Sequence, residues 1–207
     1  MPFDGRLVNG PEVTLRGVAR IWDRAPHNAF TDLVRWRGDY YLAFRNATNH
    51  ISRDGRINVL GSLDGGAWKH VATLETECDD RDPKFLATPE RLFLYSPGWL
   101  PGEGHEPELR RGTAVAMSDD GRSWSDFQPC TRRRATFWRP RTFAGIHYVA
   151  AHTSAGRGDM TGWSSRLLRS QDGLSWEEVS VIYQGQGANE TCLSFAPDGE
   201  LTALVRR

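Results

Sequence analysis

A seven-residue pattern occurs three times in this chain and constrains its fold more than any other feature. The pattern is S-x-D-G-x-x-W, and its copies span Ser62–Trp68, Ser118–Trp124 and Ser170–Trp176. The first serines of successive copies are 56 and 52 residues apart, which suits a repeated supersecondary unit. The Asp-Gly pair favours a tight hairpin turn, and the Ser and Asp side chains can hydrogen-bond the amides of that turn. We therefore expect three structural hairpins with no direct catalytic role.

Short strand-like segments surround each copy in the same order, so the chain consists of repeated four-stranded units. Four-stranded antiparallel units repeated every ~50 residues are typical of the blades of a β-propeller. The predicted fold is all-β, a single partial propeller of about three and a half blades over residues 1–207. The predicted parts are an N-terminal arm with a latch strand at Val13–Trp22 (1–26), blade 1 (27–78), blade 2 (79–134), blade 3 (135–187) and the start of blade 4 (188–207). Because such a set cannot close a ring, we expect an N-terminal portion of a longer product.

Composition and charge argue against several other functional classes. The 26 basic residues balance the 26 acidic ones, so a nucleic-acid-binding surface is not expected. No apolar run approaches the ~20 residues that span a bilayer, and no signal peptide is visible, so we expect a cytoplasmic protein without a membrane partner. The three cysteines lack C-x-x-C spacing, and we predict no metal and no cofactor. Lys69 and Lys84 are the only lysines, and this preference for arginine is typical of a GC-rich, bacterial genome.

The repeated pattern is that of the Asp box, or BNR repeat, and with the four-stranded units the chain resembles the sialidase superfamily of six-bladed propellers. The segment Asn189–Arg206 is similar to the fourth blade of sialidases, where a Glu opens the inner strand, a D-G hairpin follows and an Arg closes the next strand. The resemblance extends from about Pro26 to Arg207. It implies that Glu190 assists the nucleophile and that Arg206 binds the carboxylate of the substrate. The tyrosine nucleophile and the third arginine of sialidases belong to blades five and six, which this chain lacks.

Charged residues also stand where the predicted inner strands begin, at the mouth of the channel. Arg81 and Asp82 open the second unit, and Arg139 opens the third. Guanidinium and carboxylate groups that converge on one axis suit an anionic sugar, so Arg81 and Arg139 are candidate substrate-binding residues. The alternative interpretation is that these residues form salt bridges between blades or lie in solvated turns.

The first unit departs from the sialidase pattern. Sialidases begin it with R-I-P, whereas the matching stretch here contains His27 and no arginine. Asp54, in the loop after the second strand, is the candidate acid/base, although Asp54-Gly55 could also be a simple turn. Asp82 is the alternative acid. In place of the missing first-blade arginine, Arg45 or His50 would bind the anionic group.

The resemblance implies an exo-acting glycoside hydrolase of sialidase type that releases a terminal carboxylated sugar. We expect little sialidase activity from these 207 residues alone. One alternative is a non-catalytic Asp-box propeller that binds glycans or proteins, and another is a hydrolase or lyase that acts on uronate-containing polysaccharide. The expected partner is a carbohydrate, and the sequence does not predict an oligomeric state.

Overall fold

The computed structural model describes residues 14–100, 109–131, 135–153 and 162–207, and β-strands are the regular elements of these residues. None of the described segments forms a helix that could cross a lipid bilayer. The strands are β1 (His27–Trp36), β2 (Asp39–Ala47), β3 (Arg56–Ser62), β4 (Lys69–Leu74), β5 (Asp79–Asp80), β6 (Lys84–Ala87), β7 (Leu92–Leu100), β8 (Leu109–Ser118), β9 (Gln128–Pro129), β10 (Ala135–Phe137), β11 (Arg141–Phe143), β12 (Ile146–Thr153), β13 (Ser164–Ser170), β14 (Glu177–Gln184), β15 (Thr191–Phe195) and β16 (Leu201–Val205).

These strands form three complete antiparallel blades and half of a fourth. The first blade has the order β1-β2-β3-β4. In the second, β5 and β6 both pair with β7 and together make the inner strand, followed by β8 and β9. In the third, β10 and β11 share β12 in the same way, followed by β13 and β14, and β15 pairs with β16 in the last sheet. The prediction of an all-β partial propeller is confirmed.

The three S-x-D-G-x-x-W segments are hairpin turns with the same hydrogen bonds. In the second copy the amide of Gly121 donates to Ser118 Oγ at 2.8 Å, and the amides of Arg122 and Ser123 both donate to Asp120 Oδ1 at 2.7 Å. The first and third copies repeat this arrangement with distances of 2.7–3.0 Å. The glycine of each copy has a φ between 72° and 77°, which is the left-handed region that this residue tolerates best.

The second and third of these turns pack against the blade that precedes them. A Cβ atom on Gly121 would overlap the hydroxyl of Tyr41 in the first blade. Tyr95 of the second blade donates to the carbonyl of Gly173 at 2.6 Å. Between neighbouring blades lie three apolar cores, centred on Ile57 and Leu94, on Val115 and Phe137, and on Leu167 and Leu193. The fold is therefore stabilised at the junctions between consecutive blades.

The described part of the N-terminal arm, residues 14–26, forms no strand. The latch strand at Val13–Trp22 was expected to pair with a last blade that the described residues do not include, so it stays a prediction. Trp22 packs edge-on against Phe44 of the first blade and stacks on His70. Leu15 and Val18 are exposed. The arm is therefore attached through one indole ring rather than through β-pairing.

Candidate functional site

The inner strands of the first three blades are all irregular at the same level. The register of β1 shifts between Ala29 and Asp32, and Phe30 within the shift has a φ of 58°. Residues 81–83 separate β5 from β6, with a φ of 42° at Asp82, and residues 138–140 separate β10 from β11. Such interruptions turn side chains out of the sheet, and positive φ at residues other than glycine concentrates at functional sites. Asp32, Asp82 and Arg139 all stand in or directly after an interruption.

Asp32 connects three blades and was not identified from the sequence. Its side chain is buried, Oδ2 accepts the amide of Phe85 in the second blade at 2.7 Å, and Oδ1 forms an ion pair with Arg139 of the third. Burial raises the pKa of Asp32, although the Phe85 amide and the Arg139 charge oppose this shift. Asp32 and Arg139 also line a cavity of about 310 Å³ between these blades. A buried carboxylate with this geometry is a candidate site residue.

Asp82 has the properties of a proton donor. Burial raises its pKa, the charges of Lys84 and Arg81 oppose this shift, and the charge of Glu190 adds to it. Lys84 begins β6 and was also missed by the sequence analysis as a site residue. Burial lowers the pKa of Lys84, while the negative charges of Asp82 and Asp32 work in the opposite direction. The second blade therefore contributes a carboxyl group that retains its proton more readily than an exposed one.

Glu190 and Arg206 lie together at one edge of the last sheet, as the hairpin between them predicts. Glu190 precedes β15 and Arg206 follows β16, and the Arg206 amide donates to the Glu190 carbonyl at 2.8 Å. Arg206 Nε forms an ion pair with Glu190 Oε2. The side chains are 67% and 41% exposed, respectively, so both can reach a ligand. The charge of Glu190 also raises the pKa of Asp82, so these two predicted residues are near enough to interact electrostatically.

Arg45 and Arg81 are buried, whereas the predicted role in substrate binding requires exposed side chains. The carboxylate of Asp79 accepts Arg45 Nε at 2.7 Å and Arg81 Nη1 at 3.2 Å. The side chain of Arg45 is 0% exposed and that of Arg81 is 5% exposed. The Arg81 guanidinium also lies between the rings of Phe30 and Trp99, 4.7 and 4.6 Å from their centroids. Arg45 and Asp79 form a salt bridge between the first and second blades, whereas Arg81 and Asp79 belong to the same blade. Because both guanidiniums are buried in ion pairs, we assign both arginines a supporting role.

The two buried guanidiniums hold the loop that carries His50. Arg45 Nη1 donates to the carbonyl of Asn49 at 2.9 Å, and Arg81 Nη1 donates to the carbonyl of His50 at 2.8 Å. In the same loop, a Cβ atom on Gly55 would overlap the carboxylate of Asp79, so glycine is required there. The His50 ring is exposed and packs edge-on against His27 and Phe30. His50 is thus placed beside Arg81, the residue that precedes Asp82 in the chain.

Asp54 closes its own loop and is a poor candidate for the acid. Its carboxylate accepts the Thr48 amide at 3.0 Å and the hydroxyls of Thr48 and Ser52. The hydrogen bonds from Ser52 and Thr48 lower the pKa of Asp54 to about 2. A carboxyl group that is ionised at every ordinary pH has no proton to donate, so the geometry favours Asp82, the alternative acid, over Asp54. In the described ranges no group of three or more His, Cys, Asp or Glu side chains could hold a metal ion.

Comparisons with known proteins agree on the fold. No family model and no curated protein sequence matches the chain. A family 32 β-fructofuranosidase of Bombyx mori superposes with a TM-score of 0.63 at 16% identity, over 86% of this chain and 41% of that one. The sialidase of Trypanosoma rangeli gives 0.64 at 13% identity, over 88% and 34%. The endo-arabinase of Bacteroides thetaiotaomicron gives 0.59 at 14% identity, over 85% and 68%.

The three enzymes cleave different sugars according to their names, and their identity to this chain is low. The chain spans about two fifths of the fructofuranosidase and one third of the sialidase. What the chain shares with them is therefore the β-propeller fold on which these glycoside hydrolases are built.

Proposed function

We propose that this protein is a glycoside hydrolase in which Asp82 is the general acid and Glu190 the second carboxylate. The observation that carries the proposal is the raised pKa of Asp82 beside the charge of Glu190. An acid must hold its proton at the working pH, and burial shifts the pKa of Asp82 in the direction that favours this. Glu190 is ion-paired with Arg206 and supplies the negative charge. Most glycosidases divide acid and base work between two such carboxyl groups.

In this proposal the carboxyl groups have different roles during hydrolysis. Asp82 donates its proton to the glycosidic oxygen as the bond to the sugar breaks, and the departing group leaves as an alcohol. Glu190 accepts a proton from the attacking nucleophile, so that Asp82 and Glu190 change protonation state in opposite directions. Asp32 is held by its ion pair with Arg139, and its negative charge would stabilise the positive charge that develops on the sugar ring.

The finer form of the proposal is the release of a terminal carboxylated sugar, as in sialidases. The observation that favours it is the exposure of Arg206, which is 67% exposed and is the most accessible of the four predicted arginines. When substrate binds, Arg206 would release the Glu190 carboxylate and form an ion pair with the carboxylate of the sugar. The other three arginines have carboxylate partners, Asp79 for Arg45 and Arg81 and Asp32 for Arg139, and contribute to the site indirectly. The proposed partner is in either case a carbohydrate.

The test uses the protein as expressed from its gene and a panel of chromogenic glycosides: a sialoside, a glucuronide, an arabinofuranoside and a fructoside. We expect at least one substrate to be hydrolysed and Asp82→Asn to lose about 10²–10⁴-fold in kcat/KM. Asp54→Asn is the matched control and should retain activity. If hydrolysis is confined to the two carboxylated substrates, the sialoside and the glucuronide, the finer proposal is supported. If Asp82→Asn keeps full activity, the acid is misassigned, and if no glycoside is hydrolysed, a non-catalytic glycan-binding propeller is favoured.

A further inference from the structure

His27, at the start of β1, has an unusual partner for a histidine. Its Nδ1 atom lies 3.2 Å from Nη1 of the buried Arg45. A guanidinium carries only hydrogen-bond donors and stays protonated in proteins. Nδ1 must therefore accept this hydrogen bond with its lone pair. Since an imidazolium has a proton on both nitrogens, the contact requires a neutral ring that carries its single proton on Nε2.

The charges around His27 act in the same direction. Arg45 from β2, His50 from the following loop, and Asp79 and Arg81 from the second blade are the titratable groups that act on the ring. Burial lowers the pKa of His27 most, and Arg45, His50 and Arg81 add to this effect, while Asp79 opposes it. The two guanidiniums outnumber the one carboxylate, so the net charge around the ring is positive. The ring therefore stays neutral at pH values where an exposed histidine begins to protonate.

The Nε2–H group of His27 is in a position to bind a ligand. In the part of the chain that the structure describes, Arg45 is the hydrogen-bond partner of the His27 ring, and Nε2 has none. The ring is half-buried, and it packs against Phe30 and His50 at the mouth of the channel. Phe30 in turn stacks under Arg81, which is the neighbour of Asp82. The ring of Phe30 thus connects His27 to Arg81, which precedes the proposed acid in the chain.

We infer that His27 is a substrate-binding residue that donates its Nε2–H to an acceptor oxygen of the bound sugar, and that Arg45 fixes the tautomer required for this bond. The inference rests on the proposed function for the identity of the ligand as a sugar. The acceptor is either a hydroxyl or ring oxygen of a neutral sugar or a carboxylate oxygen of an acidic one, since both accept from a neutral N–H group. A neutral donor differs physically from an arginine at this position, because its contribution to affinity does not depend on salt.

Nitrogen-15 NMR of the protein tests the tautomer without any ligand. We expect His27 to be protonated on Nε2 alone at neutral pH and to gain its second proton with a midpoint below pH 6.5, the ordinary pKa of histidine. His70 on β4 lies away from the channel mouth and serves as the internal reference. A His27 ring protonated on Nδ1, or one that is charged at neutral pH, overturns the inference. This readout stands independently of any hydrolase activity.

Titration with free arabinose, fructose and N-acetylneuraminic acid tests the binding role. We expect one of these sugars to shift the Nε2–H signal of His27 and His27→Ala to weaken its binding about fivefold to tenfold, as one neutral hydrogen bond implies. His27→Gln keeps an N–H donor and an oxygen for Arg45, so it should retain most of the affinity, and His70→Ala should change nothing. The sugar that responds identifies the acceptor. If glycosides are hydrolysed but His27→Ala binds and turns over normally, this inference fails alone. If neither binding nor hydrolysis occurs, it fails together with the proposed function.

Discussion

The buried carboxylate of Asp79 offers the most direct test of how the first two blades are joined. Asp79→Ala would leave Arg45 fully buried and Arg81 nearly so, without the carboxylate that both contact at 2.7 and 3.2 Å. Removing one partner of a buried ion pair costs about 3–5 kcal/mol, because the remaining charge stays out of water. For a chain of this size each kcal/mol lowers Tm by about 2–4 °C, so we expect a fall of roughly 6–20 °C.

Thermal unfolding monitored by circular dichroism measures this fall in Tm. A second substitution controls for the change in net charge. Asp119→Ala also removes one negative charge, but the ion pair of Asp119 with Arg91 is exposed, and we expect an unchanged Tm. Asp79→Asn keeps the shape and one acceptor oxygen, so it should lie between the wild type and Asp79→Ala. If Asp79→Ala and Asp119→Ala unfold at the same temperature, the buried cluster does not hold the blades together and the reasoning is refuted.

Two further predictions concern a repeated turn and the loop of Asp54. Trp176 packs in the core between the second and third blades, so Trp176→Ala should lower the free energy of unfolding by about 3 kcal/mol. Trp68 lies outside the cores, so Trp68→Ala should lower it clearly less. Equal losses of the two variants in urea unfolding would contradict this. The pKa of Asp54 is about 2 when folded and 3.8 ordinarily, so its contribution to stability is present above pH 4 and is lost as the pH falls toward 2. Asp54→Asn should therefore lower Tm at pH 7 and narrow its difference from wild type in acid, and a difference that is constant with pH would exclude this role.

The repeated turns could be predicted from the sequence because their physics is local. A Ser and an Asp that bind amides two and three residues away form the same turn wherever they occur. Strand boundaries were less predictable where tertiary contacts decide them. The segment Trp124–Gln128 reads as a strand, yet pairing begins only at Gln128, because Trp124 packs against the first core and Ser125 bonds back to Met117. The short strand β5 was missed because the interruption at residues 81–83 separates it from β6.

The candidate site was only partly predictable for a similar reason. Glu190 and Arg206 could be paired from sequence, since a single hairpin joins them. Asp32 could not, because its partners lie in the second and third blades, more than fifty residues away, and the residue reads as an ordinary polar position of a strand. The sequence likewise identified Arg45 as a charged residue near the mouth, but its burial depends on Asp79, which is 34 residues further along. The signal that was available is the presence of three acidic residues, Asp79, Asp80 and Asp82, in the four positions before Pro83, because acidic side chains are rarely fully buried unless they are paired.

The interruptions of the inner strands place Asp82 and Arg139 outside the regular strands of their blades. The amides of Arg81 and Trp138, which begin the two interruptions, still donate to the carbonyls of Pro97 and Ala150 at 3.0 Å, so the side chains of Asp82 and Arg139 can be exchanged while these backbone hydrogen bonds are kept. The cores between blades lie elsewhere along the same strands. Substitutions can therefore change the charges at these positions one blade at a time while the fold is retained. We expect related chains to differ in substrate before they differ in fold.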